Sequence, residues 1–174
     1  KETYMNIFYL DPDPELAATY HCDKHVVKMI METVQMMSTA HRELDGDAWA
    51  DQVGLVRATH KNHPSTIWTR SSVDHYDWMR HLLFYLCEEK RKRFITPHSY
   101  EKFIDILAVV PENIEDSGFT PPPQCMPDAY KTSCSVKSYR KFYINEKSHF
   151  AKWAHSPMPE WYVNKHTETF VYDR

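Results

Sequence analysis

Glycine is scarce in this sequence, with only Gly46, Gly54 and Gly118 among its 174 residues. Loops that cradle phosphate groups depend on glycine, because a Cβ atom would obstruct the backbone N–H groups that face the phosphate. No part of the chain is rich in glycine. The composition therefore argues against P-loop and dinucleotide-binding proteins.

Paired cysteines and long apolar runs are also missing. The four cysteines, Cys22, Cys87, Cys125 and Cys134, include no Cys-x-x-Cys pair. Their spacing argues against a zinc knuckle and favours reduced thiols. The sequence has no apolar run of about 18 residues, the length that spans a membrane, and no signal-peptide pattern opens it. We therefore predict a cytoplasmic protein with no membrane partner.

The charged residues are unevenly distributed along the chain. The net charge is −3, whereas proteins that bind nucleic acid usually carry a basic surface. Acidic residues concentrate in segments 45–51 and 112–116, and basic residues concentrate in segments 24–28, 57–70, 90–93 and 137–147. This distribution is compatible with one basic face on a weakly acidic protein.

The spacing of apolar residues predicts an all-α fold. We expect a compact single-domain helical bundle with a short extended N-terminal segment and an irregular aromatic C-terminus. Apolar residues at steps of three and four predict helices over the following ranges: 15–44 with a break near Cys22, a new start at 62–65, then 72–94, 100–110 and 135–153. We expect residues 5–10 to be extended and residues 44–58 to be irregular.

Prolines set the boundaries of these elements. Asp13 and Pro14 form a typical helix start, with the aspartate as the cap. Prolines crowd residues 111–127, which predicts an irregular loop. We interpret segment 121–131 either as a stiff wall that presents Gln124, Asp128 and Lys131 or as a solvent-facing connector.

The first long helix carries a polar stripe on an otherwise apolar surface. Its residues follow one another at steps of four and three and share an arc of about 100°. They are His21, His25, Lys28, Glu32, Gln35, Thr39 and Arg42. An apolar helix lies inside a protein, so this stripe must either line a cleft or be paired internally as a buried ion-pair network.

Two histidines of the stripe have the spacing of a metal-binding pair. His21 and His25 are four residues apart, and His60 and His63 could complete a site. Lys28 follows on the next turn and would place a cation beside the metal. We therefore predict no metal and no cofactor.

Several segments resemble the pyrimidine-dimer DNA glycosylase (endonuclease V-like) superfamily. Bacterial members combine a Lys-x-x-x-Glu-x-x-Gln helix with an Asn-His-Pro…Trp segment and a Glu-x-x-x-Arg helix end. The corresponding residues are Lys28, Glu32, Gln35, Asn62, His63, Pro64, Trp68, Glu89 and Arg93. Segment 159–162 is similar to the aromatic C-terminal segment of the phage enzyme, and segment 126–131 carries a Met-Pro-Asp-x-Tyr-Lys motif that is similar to uncharacterised phage proteins. The resemblance implies a helical domain over 5–162 and a tail over 163–174.

The resemblance implies an enzyme that extrudes a base from duplex or locally opened DNA and cleaves its N-glycosidic bond. We predict Glu32 as the carboxylate that stabilises the oxocarbenium-like sugar, with Lys28 and His25 as its catalytic partners. The predicted DNA-contacting residues are Lys24, Gln35, Arg42, His60, Asn62, His63, Trp68, Arg70, Lys131, Arg140 and Trp161.

The sequence departs from the family pattern at its N-terminus. The phage enzyme forms a Schiff base with the α-amine of a small residue that methionine removal exposes. Here the larger Asn6 follows Met5, which hinders such removal, and residues 1–4 precede both. We therefore interpret the protein as a glycosylase without strand-cleaving lyase activity, or as an altered enzyme acting on a modified phage base.

Two other functions fit the same residues. The stripe could serve a nucleotide or modified-base transferase, whose binding would depend less on salt than duplex binding does. The protein could instead be a non-enzymatic phage protein that binds a host factor. In that case the stripe would be structural and the aromatic segment 161–172 would face the partner.

Overall fold

The computed structural model describes residues 5–162, and within that range every regular element is helical. The α-helices are α1 (Pro14–Tyr20), α2 (Asp23–Asp45), α3 (Ala48–Val53), α4 (Pro64–Ser71), α5 (Val73–Phe94), α6 (Ile104–Leu107) and α7 (Ser135–Glu146). Short 3-10 turns cover Ser99–Phe103 and Asp128–Tyr130. This architecture confirms the predicted all-α domain. Residues 1–4 and the predicted tail, 163–174, lie outside the described range.

Helix starts follow local capping chemistry. The Asp13 carboxylate accepts a hydrogen bond from the backbone N–H of Glu15 at 2.9 Å, and Pro14 occupies the first helical position. His63 plays the same part for α4, since its Nδ1 accepts from the N–H of Ser65 at 3.1 Å. Both starts agree with the predictions from proline and cap positions.

The long helices α2 and α5 pack against each other, and α1 and α4 pack against them. The apolar side of α2 is buried in this core, and the most enclosed side chains include Met29, Ile30, Met36 and Met37. The extended segment 5–10 also lies inside, with Ile7 and Leu10 fully buried. Burial on several sides explains why α2 is apolar over most of its surface.

Arg93 fixes the corner between α1 and α2. Its guanidinium is buried at the end of α5 and donates to the carbonyls of Thr19 and His21 at 2.9 and 2.7 Å. It also donates to the carboxylates of Glu89 and Asp23. A buried arginine needs its donors paired, and these four acceptors account for the break that separates α1 from α2.

Three predicted boundaries were wrong. Segment 44–58 contains α3, which Gly54 ends with a φ of 80° that favours glycine. The expected helix over 100–110 is a 3-10 turn followed by the short α6. The last helix ends at Glu146, well before residue 153, because the following backbone turns back to α2. There the N–H of Asp23 donates to the carbonyl of Lys152 at 2.7 Å.

Within residues 5–162, no helix has the length and apolar character that crossing a membrane requires.

Candidate active site around Glu32

Glu32 lies near the middle of α2 and is almost completely buried, with 4% of its surface exposed. Its Oε1 accepts a hydrogen bond from the backbone N–H of Asn6 at 3.2 Å. Its Oε2 lies 3.5 Å from Nζ of Lys28, one helical turn earlier. A buried carboxylate is costly unless a cation or hydrogen-bond donors compensate it, and here both kinds of group do so.

The side chain of Asn6 ties this site to the proline-rich loop. Its Nδ2 donates to the carbonyl of Cys125 at 3.1 Å, and its Oδ1 lies 2.9 Å from the hydroxyl of Tyr139. That hydroxyl also lies 2.6 Å from the carbonyl of Pro123 and accepts from the N–H of Cys125 at 3.2 Å. Burial raises the pKa of Tyr139 well above its usual range, so the hydroxyl remains a hydrogen-bond donor.

The loop is anchored at further points beside the site. Nε1 of Trp68 donates to the carbonyl of Thr120 at 2.9 Å, and the hydroxyl of Ser135 donates to the carbonyl of Pro122 at 3.2 Å. Sγ of Cys125 lies 3.4 Å from Oγ of Ser65 at the start of α4. Residues 120–125 therefore form a wall next to the residues that hold Glu32, while Asp128 and Lys131 are exposed and pair with each other, as the solvent-facing alternative predicts.

The predicted polar stripe does not line one cleft. Its first two members face the core, where both are fully buried. The ring of His25 stacks on Phe8 at a centroid distance of 4.2 Å, and its Nδ1 lies 2.7 Å from the hydroxyl of Tyr143. His21 donates from Nδ1 to the carbonyl of Ala17 at 2.6 Å. The expectation that His25 shares a solvent-reachable cleft with Glu32 is wrong, because aromatic rings enclose it.

The last two members of the stripe support the connection after α2. Arg42 pairs with Asp47 and Asp51 at 3.0 and 2.7 Å and donates to backbone carbonyls of the same connection. The hydroxyl of Thr39 accepts from the N–H of Thr59 at 3.1 Å. This end of the stripe is paired within the protein, but the partners Asp47 and Asp51 are exposed, so it is not the buried ion-pair network of the structural alternative.

The middle of the stripe is the part that remains near solvent. Lys28 has a quarter of its side chain exposed, and Gln35 is partly exposed. On the neighbouring surface of α2, Lys24 is exposed and holds its Nζ 4.7 Å from the centroid of the Phe150 ring. The exposed surface of α2 beside the buried carboxylate therefore carries two lysines, together with the apolar side chains of Val27 and Met31.

Of the predicted DNA contacts in and before α4, some are exposed and one is buried. His60 and Asn62 are exposed in the segment before α4, and His63 is partly exposed there, so all three lie at the end of α4 that carries Ser65. Trp68, by contrast, is 6% exposed and stacks on His75 at 4.2 Å. It acts as a support for the loop through its bond to Thr120.

The structure places the remaining predicted contacts away from Glu32 or in supporting roles. Arg70 donates to the carbonyl of Lys61 and lies beside Leu44, about three turns further along α2. Lys131 is exposed and pairs with Asp128 at 2.9 Å.

The predicted contacts on α7 and in the C-terminal segment pack together. Arg140 pairs with Asp11 at 3.0 Å and donates to the carbonyl of Leu10. It also stacks on Trp161, 5.3 Å from the ring centroid. These contacts attach α7 to the extended N-terminal segment.

Residues 5–100, more than half of the chain, match the model of the family described as pyrimidine dimer DNA glycosylase. The chain belongs to this family. No curated protein and no solved structure matches it. The match contains Asn6, Lys28 and Glu32, which form the buried cluster.

The wall of the site in this glycosylase family member comes from outside the matched segment. Pro123, Cys125 and Tyr139 follow residue 100 and reach the site only through the tertiary fold. Sequence reasoning missed Asn6 and Cys125 as site residues, because they are far apart in the chain and carry no motif. The dense prolines of the loop were the one available signal.

In the part of the chain that the structure describes, no three His, Cys, Asp or Glu side chains are grouped as a metal site would require. His21 and His25 lie in the core, whereas His60 and His63 lie in the segment before α4.

Proposed function

We propose that this protein cleaves the N-glycosidic bond of a damaged or modified pyrimidine in DNA, with Glu32 as the acting carboxylate. The observation that carries the proposal is the buried Glu32 side chain, held between Lys28 and the N–H of Asn6. The family to which the chain belongs supports the same reaction class.

The chemistry needs a negative charge where the sugar becomes positive. As the bond between C1′ and the base nitrogen breaks, the base takes the electron pair and the sugar gains oxocarbenium character. A carboxylate fixed in a poorly solvated site stabilises that charge more than water would. Water then attacks C1′ and gives up a proton, for which Glu32 is the proposed acceptor.

Lys28 has a separate proposed role. Its ammonium group lies 3.5 Å from Oε2 of Glu32, where it offsets the charge of the buried carboxylate, and its exposed part lies on the surface of α2. We propose that Lys28 and Lys24 bind phosphate groups of the DNA, with Gln35, Asn62 and His63 along the same side.

The backbone nitrogen of Asn6 is relevant to whether the enzyme also cleaves the DNA strand. With Met5 before it, this nitrogen is an amide, whose lone pair is delocalised into the carbonyl. It donates a hydrogen bond to Glu32 and has no nucleophilic lone pair to offer C1′. In a chain that retains Met5, this nitrogen is proposed to hold Glu32 and not to attack the sugar, so water is the proposed nucleophile.

The test is a search for abasic product. Duplex oligonucleotides carrying a pyrimidine dimer, or a modified pyrimidine of the phage type, are incubated with the protein and divided in two. We expect strands that break only after hot alkali, since an abasic site with an intact backbone is alkali-labile. Alkali treatment is needed for the dimer, because its cyclobutane ring keeps the freed base attached. If no substrate becomes alkali-labile under any salt condition, the proposal fails.

A further inference from the structure

The chain leaves α5 through a strained turn centred on Ile95. The N–H of Thr96 donates to the carbonyl of Phe94 at 2.7 Å, which spans two residues. Ile95 between them has φ 71° and ψ −50°. These values describe the positive-φ γ-turn, the rarer and strained form, and a β-branched residue is poorly suited to it.

Ile95 is also the most exposed large apolar side chain among residues 5–162, at 85%. Burial in the protein therefore does not compensate the strain. Glycine would adopt this backbone at lower cost and would place no apolar surface in water. A strained and exposed apolar residue points to a use outside the fold.

The turn is held rigidly from both sides. Nζ of Lys90 donates to the carbonyl of Thr96 at 2.7 Å. The N–H of Ile95 donates to the carbonyl of Arg91 at 2.9 Å. Arg91 in turn forms two hydrogen bonds to the carboxylate of Glu101, at 2.8 and 2.6 Å. These hydrogen bonds support the turn that carries Ile95.

The segment after the turn reaches the exposed surface of α2. The following 3-10 turn, Ser99–Phe103, packs on α2. Val27 lies between Lys24 and Lys28 on the exposed part of that helix. Lys90 adds a cation at the turn itself. An apolar tip beside the ammonium group of Lys90 is suited to a base step between phosphates.

We propose that Ile95 is a wedge that enters a base step of duplex DNA while the target nucleotide is extruded. Proteins that open base steps insert apolar side chains such as isoleucine between them, and extrusion requires such unstacking. The inference rests on the proposed glycosylase function, because it supplies the opening step that a buried Glu32 needs.

The central test is Ile95→Gly. Relief of the strain should raise the melting temperature by about 2–4 °C. Turnover on duplex DNA should nevertheless fall about tenfold or more, since unstacking must then occur unaided. The same variant should regain the parent rate on a single-stranded substrate. Ile95→Leu should keep most of the duplex activity, and Val109→Ala, at another exposed apolar residue, should leave it unchanged.

Base opening is measured separately from cleavage, with 2-aminopurine placed beside the target base. The parent should raise its fluorescence on binding, and Ile95→Gly should not. Opening without abasic product would contradict the proposed function and leave the wedge supported. The wedge would be overturned if both the parent and Ile95→Gly formed abasic product and the two showed equal base opening and equal turnover on duplex DNA. Binding to phosphatidylserine vesicles is measured as well. The wedge would also be overturned if the parent bound these vesicles and Ile95→Gly lost only that binding, with its action on duplex DNA unchanged.

Discussion

The backbone N–H of Asn6 donates to Oε1 of Glu32 at 3.2 Å and joins the extended N-terminal segment to the middle of α2. The Asn6 side chain continues the connection to Cys125 and Tyr139. The position of the Glu32 carboxylate therefore depends on three parts of the chain that are remote in sequence.

Tyr139→Phe tests this dependence. The substitution removes the hydroxyl shared by Asn6 and Pro123 and leaves the N–H of Cys125 without its acceptor. We expect a loss of about 1–3 kcal/mol in the free energy of unfolding, together with slower turnover. Denaturant unfolding and abasic-site formation measure the two effects.

Tyr143→Phe is the matched control for Tyr139→Phe. Its hydroxyl is equally buried and binds the N–H of Cys22 and the ring of His25, away from Asn6. A similar loss of stability with little loss of turnover is expected. If both variants lost turnover equally, the slower turnover of Tyr139→Phe would be due to its lower stability alone.

Lys28→Ala should weaken DNA binding at every sequence. If Lys28 contacts one phosphate, the slope of log K against log salt should become shallower by about one unit. A salt series of binding measurements gives the slope. Lys141→Ala, at an exposed position on α7, serves as a comparison, and the phosphate role is refuted if the two variants give the same slope as the parent.

The free energy of unfolding should fall in mild acid because of His21. Burial lowers the pKa of His21 to about 3, whereas a histidine in the unfolded chain has a pKa of about 6.5. As the pH falls, the unfolded state binds the proton first. The contribution of neutral His21 to the free energy of unfolding is therefore complete above pH 6.5 and is lost as the pH falls toward 3. Each such histidine adds a slope of about 1.4 kcal/mol per pH unit within that window.

The measurement for this prediction is denaturant unfolding between pH 7 and pH 4. His21→Asn should reduce the slope by about the contribution of one histidine, while His81→Asn, at an exposed position on α5, should not change it. An unaltered slope in His21→Asn would show that other groups account for the acid sensitivity.

A chain that begins at Asn6 should behave differently from one in which Met5 precedes it. The amide nitrogen then becomes an amine, 3.2 Å from Oε1 of Glu32. An amine has a lone pair, so we expect it to attack C1′ as the base leaves with the electron pair of the glycosidic bond. Opening of the sugar ring at the C1′–O4′ bond then gives an imine, which borohydride reduces to a covalent adduct with DNA. Absence of the adduct, with abasic product still formed, would indicate that the amine cannot reach the sugar.

Much of the fold could be predicted from local chemistry. Proline positions gave the starts of α1 and α4, and the apolar character of α2 placed it in the core. The end of α7 could not be predicted, because Lys152 contacts Asp23 through a tertiary hydrogen bond. The wedge at Ile95 was equally hidden, since its strain is a property of the backbone and not of residue spacing.

The site was predicted in part for a similar reason. Helical periodicity placed His25, Lys28 and Glu32 on one side of α2, but it carries no information about what packs there. Phe8 and Tyr143 enclose His25, whereas the Asn6 N–H and Lys28 meet Glu32. Which polar residue of a stripe stays near solvent depends on these tertiary neighbours.

The most direct test of the account compares Glu32→Gln with Glu43→Gln, a change at an exposed glutamate on the same helix. Duplex binding and abasic-site formation are measured for both on one substrate. Glutamine keeps the shape and removes the charge, so Glu32→Gln should bind like the parent and form abasic sites about 10²–10³ times more slowly. Glu43→Gln should match the parent in both. Full activity in Glu32→Gln would contradict the assignment of Glu32 as the acting carboxylate.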